Sequence, residues 1–251
     1  MVWGPRRDEP GTANKMANMR FYPTPWHFPF QSIISLMMPS PNDDPHLLRA
    51  QIAAAAARLV ARDGADFGSA KRKAARQVLG AAPPNADLLP DNAEIEDALR
   101  QYQALFQGDT QPARLLQLRT VALEVMEALA EFSPHLTGAV LGGTAGAHDD
   151  IHLQLFADSA KEVEIFLLNR QVVIDISETP HFKGRGHPDV ETVSFLWRKE
   201  GVRAELYELG DLRGARRLRA DGRPARADAA AVRALLAEPT SNSPDDSTER
   251  K

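Results

Sequence analysis

The chain contains no cysteine. Disulfides, thiolate metal sites and a cysteine nucleophile are excluded, and the composition suits a reducing compartment. Aromatic residues are scarce, at 6%, and none interleaves the basic stretches, which removes the stacking platform used by single-strand nucleic-acid binders. Charge of one sign is also scarce. A formal net charge of −4 is too mild to draw nucleic acid or acidic partners by its bulk field. Long apolar runs are missing: "IISLMM" (residues 33–38) is far shorter than the roughly 20 residues that span a bilayer. No membrane partner is expected, and the expected location is cytoplasmic. The sequence has no nucleophile elbow, no Walker-type lysine loop and no paired-histidine zinc helix.

Apolar residues at 43% and charged residues at 25% are enough for a globular core. Eight prolines fall between Pro5 and Pro45, so residues 1–44 are expected to be a disordered or mis-assigned extension. Met16, Met19, Met37 and Met38 leave room for a start downstream of Met1. Residues 45–110 read as helical. One helix ends at Gly64, one starts at a Ser69 cap and stops at Gly80, and one starts at Asp91 or Asn92. That third helix carries Ile95, Leu99, Tyr102 and Phe106 on one face. Residues 111–238 form the next unit, opened by a helix with Leu115, Leu118, Val121, Ala122, Val125, Met126 and Leu129 at helical spacing. After Pro134 the pattern changes to short strands, "HLTGAV", "DIHLQLF", "QVVIDIS", "ETVSFLW" and "VRAELYEL", with a crossover helix capped by Asp158 or Ser159 and a tight turn at "KEG". Residues 239–251 are expected to be a disordered tail. The fold class is therefore α+β: a mixed sheet with flanking helices, preceded by a helical region.

The chemistry concentrates in "LTGAVLGGTAGAHDDIHLQLF". Glycines beside a strand let backbone N–H groups approach a phosphate. On the following strand Asp150 and His152 share one face, while Ile151, Leu153 and Leu155 take the other. Asp149 and Asp150 alone would read as a strand-initiating turn.

This stretch resembles the signature of the minimal nucleotidyltransferase superfamily, which shares the DNA polymerase β fold. A common form of that signature is "GSVARGEAGPDSDIDLLV", and here the same positions read "GAVLGGTAGAHDDIHLQL". They agree at Gly138, Val140, Gly143, Ala145, Gly146, Asp150, Ile151 and Leu153, without a gap. The resemblance covers roughly residues 111 to 209. It implies metal-dependent transfer of a nucleoside monophosphate from a nucleoside triphosphate to a hydroxyl acceptor, with Mg2+ or Mn2+ held by carboxylates. Carried over, the metal and catalytic positions are Asp150, His152 and Glu205, with Asp175 as the alternative third acid. The phosphate-binding positions are Gly138, Ala139, Gly143 and Gly146.

The chain departs from the family pattern at three places. Ala139 replaces the serine, Gly142 replaces the arginine, and His152 replaces the second aspartate. Imidazole is a poor ligand for magnesium. Two readings therefore stand: an active nucleotidyltransferase, or a degenerate one that binds a nucleotide or a partner. His148, His152 and Asp150 offer a zinc alternative. Lys71, Arg72, Lys73 and Arg76, the arginines from Arg213 to Arg226, and Lys183 with Arg185 offer contacts to nucleic-acid or nucleotide phosphates.

Overall fold

Helix α1 (Pro45–Asp63) begins because Asp44 accepts a hydrogen bond from the amide of His46 at 2.9 Å, and Pro45 stands at the first helical position. It ends at Gly64, whose φ is 63°. The structure, a computed structural model, describes residues 44–80, 85–184, 186–214, 219 and 222–237, all within the unit Pro41–Lys251. The expectations for residues 1–43, for a downstream start and for residues 239–251 lie outside the described residues, as does Arg185.

Helix α2 (Phe67–Leu79) starts earlier than the Ser69 cap predicts. Asp66 is the cap, and its carboxylate accepts from the amide of Ser69 at 2.9 Å. Helix α3 (Asn92–Phe106) carries a capping box: Asp91 accepts from Glu94 N at 2.9 Å and Glu94 accepts from Asp91 N at 2.7 Å. The same Glu94 carboxylate holds the Arg49 guanidinium of α1 at 2.6 Å, so one side chain closes α3 and ties it to α1. Ile52, Ala56, Ala70, Ala74 and Ile95 form the core of these three helices.

The buried stripe of α3 differs from the predicted one. Ile95 and Leu99 are buried, but Phe106 is 69% exposed and the inward positions belong to Glu96 and Gln103. Both polar side chains meet partners far away in sequence. Gln103 donates to the Thr144 carbonyl at 2.7 Å, and Glu96 is gripped by Arg100 and Arg219.

Helix α4 (Gln111–Ala128) leads into a five-stranded mixed sheet. Its strands are β1 (His135–Thr137), β2 (Ile151–Ala157), β3 (Ile174–Thr179), β4 (Val190–Trp197) and β5 (Glu200–Glu208), in the order β1-β2-β5-β4-β3. The β2–β5 pair is parallel and the others are antiparallel. Strand β1 is shorter than "HLTGAV" predicts. After Thr137 the chain turns into the short helix α5 (Gly138–Gly142), and Gly138 and Gly143 bound it with φ of 68° and 84°.

Alternation gives the sheet two unlike faces. Leu136, Ile151, Leu153, Leu155, Val193, Phe195, Val202, Ala204 and Leu206 pack with α4, with α6 (Ala160–Asn169) and with α7 (Ala229–Ala237) in one cluster. Burial of such side chains contributes roughly 1.5–3 kcal/mol each and fixes the register, since a slip of one residue would invert the faces. The opposite face carries His152, Gln154, Arg203, Glu205, Thr192, Ser194 and Asp175. Phe156, Val190 and Tyr207 make a small apolar cluster at its far end.

Strands β4 and β5 meet through Arg198 and Lys199, with φ of 48° and 71°. The turn predicted at "KEG" is made by these two residues, and Gly201 lies within β5. Among the described residues no helix is long and apolar enough to cross a membrane.

Candidate functional site

Asp150, Glu205 and Asp175 lie on the polar face of the sheet, at different places along it. The first registered pair of β2 and β5 is Ile151 with Val202, and His152 stands beside Arg203. One step earlier, Asp150 rests on Gly201: a Cβ at that glycine would lie 2.8 Å from Asp150 Cγ. Asp150 is exposed and His152 is half-buried.

Glu205 lies opposite Gln154, four residues along β5 from Gly201, which is about 13 Å at the rise of a strand. Its carboxylate is already engaged. Gln154 donates to Oε2 at 3.0 Å and the Tyr207 hydroxyl donates to it at 2.7 Å. Burial, then the neighbouring carboxylate, pushes the Tyr207 hydroxyl well above the ordinary phenol range. Asp175 aligns with Ser194, Arg203 and His152 across the sheet. Three strand spacings separate it from His152, about 14 Å.

A shared divalent ion needs oxygens within about 2.0–2.6 Å of one point. Asp150, Glu205 and Asp175 do not converge in this way, and the residues that flank Asp150 and His152 on β5 are Gly201 and Arg203. Among the described residues no three His, Cys, Asp or Glu side chains form a group that could hold a metal ion. The residues present do not fit a two-metal centre. The zinc alternative is also not assembled, because His148 packs against Gly64 at the end of α1, where a glycine Cβ would lie 2.8 Å from His148 Cβ.

No family model, curated protein or solved structure matches this chain.

The glycine-rich segment is held from both sides. Its carbonyls accept from side chains of α3 and α4: Val140 from Arg119 Nε at 3.1 Å, Thr144 from Gln103 at 2.7 Å, and Gly143 and Ala145 from Gln111 Nε2 at 3.1 and 3.0 Å. Its amides are engaged too. Thr144 N and Ala145 N donate to the Ala139 carbonyl at 3.0 and 3.2 Å, and Gly146 N donates to Asp149 Oδ2 at 2.8 Å. Asp149 therefore closes the loop and Asp150 starts the polar face. Of the four positions expected to cradle phosphate, Gly138 and Gly143 set the backbone path, Ala139 supplies a carbonyl inside the loop, and the amide of Gly146 is bound to Asp149.

Arg203 was not singled out by sequence reasoning. It is half-buried in the middle of the polar face, and no hydrogen bond or ion pair joins it to a described residue. Its alternation with Val202 and Ala204 was the available signal, but its neighbour His152 emerges only from the register. The basic positions on α2 lie on an exposed face. Lys73 pairs with Asp63 at 3.7 Å, and Arg72 donates to Ser69 Oγ at 3.0 Å. Lys183 pairs with Asp211, whose carboxyl is held below the usual range chiefly by that ammonium.

Proposed function

We propose that this chain is a degenerate nucleotidyltransferase-like module that binds a nucleoside triphosphate and does not transfer its nucleotidyl group. The observation that carries this reading is Arg203 beside His152. Where a second acid would reinforce Asp150, the neighbouring strand presents a guanidinium with no hydrogen bond or ion pair to a described residue. A guanidinium with an imidazole next to it attracts phosphate oxygens directly, with bidentate geometry available. The resemblance of residues 138–153 to the superfamily signature supports the nucleotide as ligand, and the lack of cysteine agrees with a cytoplasmic location.

Calorimetric titration with ATP, in EDTA and then in magnesium or manganese, tests the proposal. Binding is expected without metal and is expected to weaken at least tenfold in Arg203→Met, with no radiolabel reaching any acceptor. Metal-dependent labelling by the natural chain, abolished in Asp150→Ala, would establish the active-enzyme reading instead. His152→Asp alone is expected to leave transfer absent, because Arg203 still faces the introduced acid.

A further inference from the structure

We propose that a second cavity, on the β1 side of the fold, binds a small organic anion with Arg226 as its counter-charge. The cavity measures about 660 Å3 and lies between the end of α4, the start of β1 and the segment leading into α7. That volume is in the range of small-molecule sites, roughly 300–1,000 Å3. Met126, Pro134, Leu212 and Pro224 give it apolar walls, and Arg226 and His135 give it polar ones.

Arg226 is the unexplained group. Its guanidinium lies 3.9 Å from the ring centroid of Phe182 and 5.6 Å from that of Phe156. No hydrogen bond or ion pair joins it to a described residue, and its Nη1 is buried without an acceptor. A guanidinium nitrogen buried with no acceptor among the described residues is costly, and burial pushes the pKa of Arg226 down. The acids that act on it through space are bound elsewhere. Glu205 accepts from Gln154 and Tyr207, and Asp211 pairs with Lys183 and His181.

The acids around the cavity are engaged as well. Glu127 pairs with Arg233 at 2.7 Å, and Asp228 caps α7 by accepting from Ala231 N at 2.8 Å. Since Asp228 already closes that helix start, recognition of a charge falls to Arg226. The His135 ring contacts the Ser133 carbonyl through Nδ1 at 2.8 Å. A carbonyl can only accept, so Nδ1 is the donor, and in the neutral ring Nε2 is an acceptor for a ligand hydroxyl or N–H. The ligand class is a compact carboxylate or phosphate ester with an apolar body.

The full chain would be titrated with benzoate and with phenyl phosphate, with benzyl alcohol as the uncharged control, by calorimetry and by amide chemical shifts. At least one anion is expected to bind at least tenfold more tightly than the alcohol and to shift the amides of Ala227 to Ala231. The two anions separate carboxylate from phosphate recognition. Arg226→Met is expected to reduce the anion to the affinity of the alcohol, while Arg203→Met leaves it unchanged. Anions that bind no better than the alcohol, shifts confined to other segments, or tight binding that survives Arg226→Met would each overturn the proposal. The shift map on the natural chain decides the matter even where Arg226→Met fails to fold.

Discussion

Asp150 and Gly201 touch across the β2–β5 boundary so closely that a Cβ on the glycine would lie 2.8 Å from Asp150 Cγ. The only glycine in β5 is thus explained by an acid on the neighbouring strand. Gly201→Ala is expected to destabilise the fold by about 1–3 kcal/mol through overpacking. Asp150→Ala, at an exposed position, should cost less than about 0.5 kcal/mol. The double variant should recover at least about 1 kcal/mol. Urea denaturation of the four proteins measures this coupling, and additive effects would show that the contact does not matter.

A second prediction concerns acid. Glu200 is almost buried and accepts from Arg114 at 2.6 and 2.7 Å and from Gln117 at 2.8 Å. The Arg114 guanidinium holds the carboxyl of Glu200 below the usual range. A lowered folded-state pKa gives stability that is complete above the unfolded value, about 4.3, and is lost as pH falls through the folded one. Glu200→Gln should cost about 2 kcal/mol at pH 7 and should flatten the decline in urea midpoint between neutral pH and the acid limb.

Glu191 behaves in the opposite sense. The neighbouring Glu164 carboxyl pushes its pKa up, while Glu164, also held by Lys161 at 2.8 Å, is pushed down. A raised carboxyl contributes stability below its unfolded pKa, and that stability is lost as pH rises through the folded one. Glu191→Gln keeps the shape of the side chain and removes its titration. Its stability relative to the natural chain should increase from pH 5 to pH 8, as read by chemical denaturation across that range.

The β4–β5 turn supplies a fourth test. Two-residue hairpins favour glycine or asparagine where φ is positive, yet this turn uses Arg198 and Lys199. Arg198 has a reason to stay, since it pairs with Glu124 of α4. Lys199→Gly is expected to stabilise the chain by about 1 kcal/mol, and thermal unfolding would register it as a rise in Tm.

Local signals in the sequence located most elements. Gly64, Gly80, Asp91 and Ser159 mark helix ends through chemistry that acts within a turn, and the alternation in "DIHLQLF" separates core from polar face. The inward turn of Glu96 and Gln103 was not legible, because their partners Arg219 and Thr144 stand 123 and 41 residues away. The candidate site failed to be legible for the same reason. Alternation places Asp150, His152, Glu205 and Asp175 on one face, but only the register shows that Arg203, rather than an acid, stands beside His152.

The glycine-rich segment has one more consequence. Gln103, Gln111 and Arg119 reach it from two helices and hold its carbonyls. Its shape is thus borrowed in part from elements up to 41 residues upstream. Solvent deuterium should reach the amides of Thr144 and Ala145 at the rate at which α3 lifts away, so that a stretch of glycines becomes a reporter on how firmly two parts of the chain stay together.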